Sequence, residues 1–267
     1  MITGAGSGLG RAFSLQLARR RGRLLLSDLR LERAEETAEF CRREGAREVV
    51  AVAADVTRVA DVESLASRAE ELWGGVDLLI NNAGVGVGGE VGETPLADWH
   101  FAFDVNVWGV VHGCHVFAPR FRQQGYGAIL NVASVAGLIH APHMAPYNAS
   151  KAAVVALSET MRAELTSSGV GVTVLCPGFF ETNILSETRS AAAGYLRFAA
   201  GQMKLASLDA AAVAAYGIAA VERGQLHALP MRDTRWIWRL KRLSPSLFVR
   251  IVTRGRKYVE EKHGMGS

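Results

Sequence analysis

Short apolar runs alternate with longer helical periods through the first 230 residues. The runs Arg23–Asp28 (RLLLSD), Glu48–Ala53 (EVVAVA), Val76–Asn81 (VDLLIN), Ala128–Ala133 (AILNVA) and Gly171–Cys176 (GVTVLC) show no in/out alternation. Strands buried on both faces of a parallel sheet require that pattern. Between the runs, helical periods cover Leu9–Arg21, Leu31–Glu44, Arg58–Leu72, Leu96–Gln124, Tyr147–Ser167 and Leu208–Gly224. Strand then helix, repeated, predicts an α/β fold, a doubly wound parallel sheet with right-handed crossovers and helices on both faces. No linker or repeat interrupts it, so one domain is expected over 1–230, followed by a basic helical extension over 231–267. The first strand is the exception. A Gly-rich turn begins at Gly4 and leaves Met1, Ile2 and Thr3 for a strand that normally needs ~5–6 residues. Either the native start lies upstream of Met1, or the strand is a stub in the middle of the sheet.

Composition narrows the class. With 49% hydrophobic and 21% charged residues in 267, the chain can bury a large core and is not expected to be disordered. The longest apolar stretch, Ala210–Val221, is twelve residues, short of the ~20 that span a bilayer, and the N-terminus lacks the basic-then-apolar order of a secretory signal. Cys41, Cys114 and Cys176 are scattered and the seven histidines form no ligand pattern, so neither disulfides nor a metal site are expected. His112 and His115 read as packing or subunit-interface residues. A cytoplasmic protein follows, one that reaches a membrane only from the side. The net charge of +4 is uneven: from Met231 onward there are ten Lys/Arg against three acids, a net +7, which leaves residues 1–230 at −3. A uniformly basic nucleic-acid-binding domain is therefore excluded as the leading idea.

Thr3-Gly4-Ala5-Gly6-Ser7-Gly8-Leu9-Gly10 joins the first strand to the first helix. Glycines allow a tight turn that brings helix N-terminal amides against a pyrophosphate. Gly4, Gly8 and Gly10 fit GxxxGxG but not GxGxxG, since Leu9 holds the last position of the latter. Asn81-Asn82-Ala83-Gly84 follows the fourth strand, Asn106 sits in DVNVWG, Ser134 in NVASVAG, and Tyr147 and Lys151 in YNASK. Pro177-Gly178 closes the sixth strand, with Thr182 four residues after the glycine. In this order, over roughly residues 1–225, these motifs resemble the short-chain dehydrogenase/reductase family in its classical length class, which implies a Rossmann-type fold.

Tyr147 and Lys151 are four apart and so share one helix face, beside an apolar stripe of Ala153, Val154, Leu157 and Met161. A free phenol has a pKa of ~10 and is a poor acid–base catalyst at neutral pH unless a cation favours the phenolate. Lys151 is placed to supply that cation. The resemblance implies an NAD(P)-dependent oxidoreductase that interconverts a secondary alcohol and a ketone by hydride transfer. In it Ser134 holds the substrate oxygen, Tyr147 exchanges the proton, Lys151 also binds the nicotinamide ribose, and Asn106 holds a relay water. For cofactor contacts it implies Gly4, Ser7, Gly8, Leu9 and Gly10 in the turn, Asp28, Asp55 and Val56, and Asn82, Ala83 and Gly84. Pro177, Gly178, Phe180 and Thr182 complete that set with Tyr147 and Lys151. Asp28 ends the second strand, where a carboxylate accepts hydrogen bonds from a 2′-hydroxyl and repels a 2′-phosphate, so NAD is favoured; Arg30, two residues on, leaves NADP open. Asp55 reads equally as a helix N-cap.

Leu138, Ile139, Met144, Phe179, Phe180, Ile184 and Leu185 are apolar candidates to line a substrate pocket, which suggests a hydrophobic steroid-, retinoid- or long-chain-like substrate. The family implies a homodimer or homotetramer. In the tail, Trp236, Leu240, Leu243 and Leu247 follow i, i+4, i+7, i+11 with charges opposite, and Ser244-Pro245 breaks it into two helices. Residues 231–260 either lie on an anionic membrane or cover the substrate pocket or a neighbouring subunit. A non-catalytic nicotinamide-binding sensor or scaffold held at membranes by this tail is the competing reading. The intact Asn106, Ser134, Tyr147 and Lys151 set argues against it.

Overall fold

The computed structural model of the chain describes residues 1–180, 188–190 and 193–263. Seven strands form one parallel sheet: β1 (Ile2–Thr3), β2 (Arg23–Asp28), β3 (Glu48–Ala53), β4 (Leu78–Asn81), β6 (Gly127–Val132), β7 (Val170–Leu175) and β9 (His227–Ala228). Their order is β3-β2-β1-β4-β6-β7-β9. A small second pair joins β5 (Val87–Gly88) to β8 (Arg189–Ser190). The helices are α1 (Gly8–Arg19), α2 (Leu31–Arg43), α3 (Val59–Trp73), α4 (Leu96–Phe103), α5 (Gly109–Gln124), α6 (Ala136–Ile139), α7 (Ala145–Leu165), α8 (Ala193–Lys204), α9 (Ala210–Glu222), α10 (Arg232–Leu243) and α11 (Pro245–His263). Among the described residues no helix is long and apolar enough to cross a membrane.

The sheet's two faces explain its continuous apolar strands. Leu25, Leu79 and Ile129 pack with Leu65, Phe117, Phe121 and Leu165 of α3, α5 and α7. Their chain neighbours Leu26, Ile80 and Leu130 pack on the other face with Phe13, Ala38 and Ile218 of α1, α2 and α9. Successive side chains point to opposite sides and both sides are covered, so both parities are largely apolar, and the polar side chains buried in these strands, Ser27, Asn81, Asn131 and Thr173, are hydrogen-bonded.

Strand order reverses at β1, whose neighbours are β2 and β4. A crevice opens at that point beyond the carboxyl ends of the strands. β1 is two residues long, but its ladder reaches further. The Ile80 N–H donates to Met1 O at 2.9 Å, the Ala5 N–H donates to Ser27 O at 2.9 Å, and the Met1 amino group donates to Leu78 O at 2.8 Å. Burial pushes that amino group down to about 5.

Several boundaries differ from expectation. The run expected over Val76–Asn81 pairs only from Leu78, and the helix expected over Leu96–Gln124 is interrupted by a π-helical turn, Asp104–Trp108. The last body helix shortens to Ala210–Glu222, started by Asp209, whose carboxylate accepts from the Ala212 N–H at 2.7 Å. The tail breaks at Ser244 as expected, but its apolar stripe faces away from the body. Thr234 is buried, Trp238 packs on the core and on the His227 ring at 5.2 Å, and Phe248 is buried, whereas Trp236, Leu243 and Leu247 are exposed and Leu240 half-buried.

Candidate functional site

The turn after β1 is built by close approach. Gly4 and Gly8 have φ of +60° and +49°, a region that β-carbons disfavour. Asn82 ties the turn to the end of β4: its Nδ2 donates to Thr3 O (2.9 Å) and Gly4 O (3.0 Å), while the Asn82 and Ala83 N–H groups donate to Thr3 Oγ1 at 3.0 and 3.1 Å. Ser7 makes no side-chain cap on α1, so first-turn N–H groups lack intrahelical partners where Ser7, Gly8 and Leu9 line a cleft. Gly10 does not line it. Gly10 lets α1 pass the Gly4 carbonyl.

The cleft, about 450 Å³, runs from this turn over the sheet's carboxyl edge. At one end lie Asp28, Leu29, Arg30, Arg33, Asp55 and Val56. The Asp28 carboxylate accepts the Gly6 N–H (3.0 Å) and the Arg30 N–H (3.1 Å). Asp55 is not a helix cap. Its Oδ1 accepts from the Thr57 N–H (2.9 Å) and hydroxyl (2.7 Å), an Asx turn, and α3 starts from Arg58 without a side-chain cap. His112 Nδ1 lies 2.8 Å from the Val56 carbonyl, a packing role for that histidine.

Asn82, Ala83 and Gly84 line the middle of the cleft, and Ser134, Tyr147, Lys151, Pro177, Gly178, Phe179 and Phe180 its other end. Thr182, Ile184 and Leu185 lie outside the described residues. Ile139, Met144, Phe179 and Phe180 line the cleft as expected, whereas Leu138 is buried and does not. Val105, Ala199 and Met203 add apolar wall that the sequence pattern did not mark.

Ser134 follows β6 and Tyr147 sits in the first turn of α7, and both line the cleft; Ser134 Oγ accepts the Ala136 N–H at 3.1 Å and donates to Pro177 O at 3.5 Å. Burial raises the Tyr147 phenol above its usual 10, and the polar Ser134 hydroxyl beside it opposes that rise. Lys151, one turn on, is 3% exposed. Its Nζ donates to Val132 O at 3.0 Å and lies 5.8 Å from the Tyr147 ring centroid. Burial lowers its pKa from 10.5 to about 8. Asn106, carried by the π turn and fully buried, donates through Nδ2 to Val85 O (3.0 Å) and Ser150 Oγ (3.1 Å), and its Oδ1 accepts from the Val85 N–H (2.8 Å). Both amide hydrogens are committed and one Oδ1 lone pair is left. A β-carbon on Gly84 would lie 3.1 Å from Asn106 Oδ1 and 3.3 Å from Lys151 Nζ, so glycine keeps that space open.

Two neighbours had no sequence signal. The buried Cys176 thiol lies near Lys151; burial pushes its pKa up to about 12, with Lys151 opposing. Met231, at the start of the tail, is buried, and its Sδ accepts the Gly178 N–H at 3.3 Å. Among the described residues no group of three or more His, Cys, Asp or Glu could hold a metal ion.

The Lys151 shift carries a sign that can be tested. Between about pH 8 and 10.5 the unfolded chain holds a proton on this lysine that the folded chain has lost, so stability from this group rises with pH through that window. Its full size is about 3 kcal/mol at 1.36 kcal/mol per pKa unit. A Lys151→Met variant removes the slope. Its stability advantage over the parent, read from Tm, is expected to shrink between pH 8 and pH 10; a constant difference would contradict the shift.

Residues 1–193 match the family model described as short chain dehydrogenase. "Probable oxidoreductase EphD" of Mycobacterium tuberculosis is 38% identical over 189 residues, 70% of this chain but 32% of its own length, so the match spans about a third of that relative. A short-chain dehydrogenase/reductase from Burkholderia phymatum in complex with NAD is 39% identical and superposes with a TM-score of 0.86, over 92% of this chain and 93% of that one. A short-chain dehydrogenase from Sphingobium yanoikuyae in complex with NADPH is 29% identical with a TM-score of 0.75, over 88% and 89% of the two chains. On the family model and on these relatives, as on its own motifs and sheet order, the chain belongs to the short-chain dehydrogenase/reductase family.

Proposed function

We propose that the protein is an NAD(P)-dependent oxidoreductase interconverting a hydrophobic secondary alcohol and its ketone. The observation that carries this is the meeting of the Ser134 hydroxyl, the Tyr147 phenol and the buried Lys151 amine in one cleft with the Gly-rich turn and Asp28. The cleft's residues fit a dinucleotide. Uncapped amides of α1 suit a pyrophosphate, and the Asp28 carboxylate suits a ribose hydroxyl. Behind that carboxylate, a β-carbon on Gly6 would lie 2.5 Å from Arg33 Cβ and 2.7 Å from Asp28 Oδ2, so glycine there lets the turn pack on Asp28. A nicotinamide bound there supplies hydride chemistry at its C4.

The chain's own residues handle the proton. Ser134 Oγ donates to the substrate oxygen and orients the carbonyl toward Tyr147. In reduction the Tyr147 hydroxyl gives its proton to the forming alkoxide; in oxidation the phenolate takes the hydroxyl proton. Lys151, held by the Val132 carbonyl, stabilises that phenolate while it is charged, below its pKa of about 8. Asn106 holds the backbone at Val85 against α7 through Ser150 and offers its remaining lone pair to a relay water. The apolar wall of Ile139, Met144, Phe179, Ala199 and Met203 supports a lipophilic substrate.

The test is absorbance at the reduced-nicotinamide band with a panel of lipophilic alcohols and ketones, NAD and NADP in parallel. Turnover is expected with such compounds; activity confined to small sugars or hydrophilic acids would overturn the substrate class. We read the cofactor preference as NAD, because the Asp28 carboxylate stands where a 2′-phosphate would bring like charge. Asp28→Asn keeps the side chain's size and removes its charge. The ratio of kcat/KM for NAD over NADP is expected to fall at least about tenfold, or 1.4 kcal/mol. An unchanged ratio would move the discrimination to Arg30 and Arg33.

A further inference from the structure

The outer face of α10 and α11 joins exposed apolar side chains to a row of guanidiniums. Trp236 is 67% exposed, Leu243 86%, Leu247 44%, Val249 59% and Ile251 49%. The inner face fixes this orientation. Thr234 and Phe248 are buried, Trp238 packs on His227, and Lys241 Nζ donates to Leu138 O at 2.6 Å, so the helices cannot roll to hide the stripe without breaking those contacts. Arg232, Arg239, Arg242, Arg250 and Arg254 are exposed alongside it, against a single acid, Asp233, between positions 231 and 255. The Arg239 guanidinium lies 5.2 Å from the Trp236 ring centroid.

We propose that this face docks on an anionic membrane surface, with the arginines at lipid phosphates and Trp236, Leu243 and Leu247 in the interfacial layer. An aromatic and aliphatic stripe flanked by arginines matches the chemistry of that boundary, apolar on one side and negative on the other. A second copy fits poorly, because an isologous contact would set five guanidiniums against five. A nucleic acid would use the arginines but leave Leu243 and Leu247 without a partner. α11 packs on α8, whose Ala199 and Met203 line the cleft, so docking sets a cleft wall next to the bilayer. The inference does not depend on the reaction proposed above.

Co-sedimentation of the full chain with phosphatidylcholine vesicles, with and without phosphatidylserine, tests it. The protein is expected to pellet with the anionic vesicles at low salt, to stay in solution with the neutral ones, and to be released as salt rises. Arg239→Gln/Arg250→Gln is expected to weaken binding about thirtyfold, and Trp236→Ser/Leu243→Ser to abolish it, with Tm unchanged because these four side chains face away from the body. Background pelleting at low salt, equal pelleting on neutral vesicles, or indifference to the arginine pair would each overturn the proposal. So would a dimer that the Trp236→Ser/Leu243→Ser variant converts to monomer without vesicles, which would make the face a subunit contact.

Discussion

Replacing Tyr147 by Phe is expected to lower turnover on the order of 10³-fold while cofactor affinity stays within about threefold. Positioned proton transfer contributes ~10²–10⁴-fold, and the phenol oxygen is the only atom removed. The ring, its contact with Lys151 and the Val132–Lys151 hydrogen bond remain. Removing one buried hydroxyl that no protein group among the described residues is seen to bind should cost at most about 1 kcal/mol of stability, too little to unfold the chain. In the parent, burial raises the phenol pKa and keeps the proton in place at neutral pH. Reduction, which needs the acid, should therefore hold its rate at neutral pH, and oxidation, which needs the phenolate, should rise toward alkaline pH. Measuring kcat/KM in both directions with parent and variant settles the matter. Residual activity above about a tenth of the parent would remove Tyr147 from the chemistry, and loss of cofactor binding would make the phenol oxygen a cofactor contact first.

How much of this was legible in the sequence depends on the kind of interaction. Leu24, Leu25 and Leu26 announce a strand covered on both faces because each must be apolar, and Gly74 and Gly125, left-handed at φ of +78° and +79°, end helices where helical periodicity stops. Two-residue strands such as β5, β8 and β9 carry no periodicity, since they are defined by a partner rather than by their own side chains. The π turn that carries Asn106 is hidden for a similar reason: DVNVWG contains no breaker before Gly109, and the extra residue per turn is set by packing against Val85 and Ser150. In the tail the helices could be read but not which face was buried. Apolar spacing favoured Trp236, Leu243 and Leu247, whereas the body took Trp238 and the long stem of Lys241, whose amine reaches the Leu138 carbonyl.

The site divides the same way. Side-chain chemistry at fixed spacing, Tyr147 with Lys151 and the glycines of the turn, shows in the chain order. The groups that hold those side chains do not. Lys151 is anchored by a backbone carbonyl, Val132 O, nineteen positions away, and Gly178 by a methionine sulfur 53 positions away. Every residue has a carbonyl, and nothing in MRDT distinguishes Met231 as a partner for a turn. Asp55 shows the converse, a residue whose type suggested a cap and whose geometry made an Asx turn with Thr57.

Gly10→Ala is the other substitution expected to have a large effect, through the backbone rather than through chemistry. An ideal β-carbon there would lie 2.1 Å from Gly4 O and 2.6 Å from Asn82 Nδ2, so α1 must move away from the end of β1. Gly4 O accepts the Asn82 amide that also holds Thr3 O, and the displacement would break the tie between turn and β4. Overpacking of this kind costs ~1–3 kcal/mol, and the amides of Ser7, Gly8 and Leu9 leave the cleft wall with the helix. Cofactor affinity is expected to fall on the order of 100-fold, equivalent to about 2.8 kcal/mol. Gly201→Ala is the matched control. It sits within α8 with nothing within 4 Å of the new carbon, so helix propensity alone acts and should stabilise the protein by up to about 1 kcal/mol. Titration of NAD binding and thermal unfolding of both variants separate the effects. If Gly10→Ala bound cofactor like the parent, the close approach of α1 to Gly4 would not be what shapes the site.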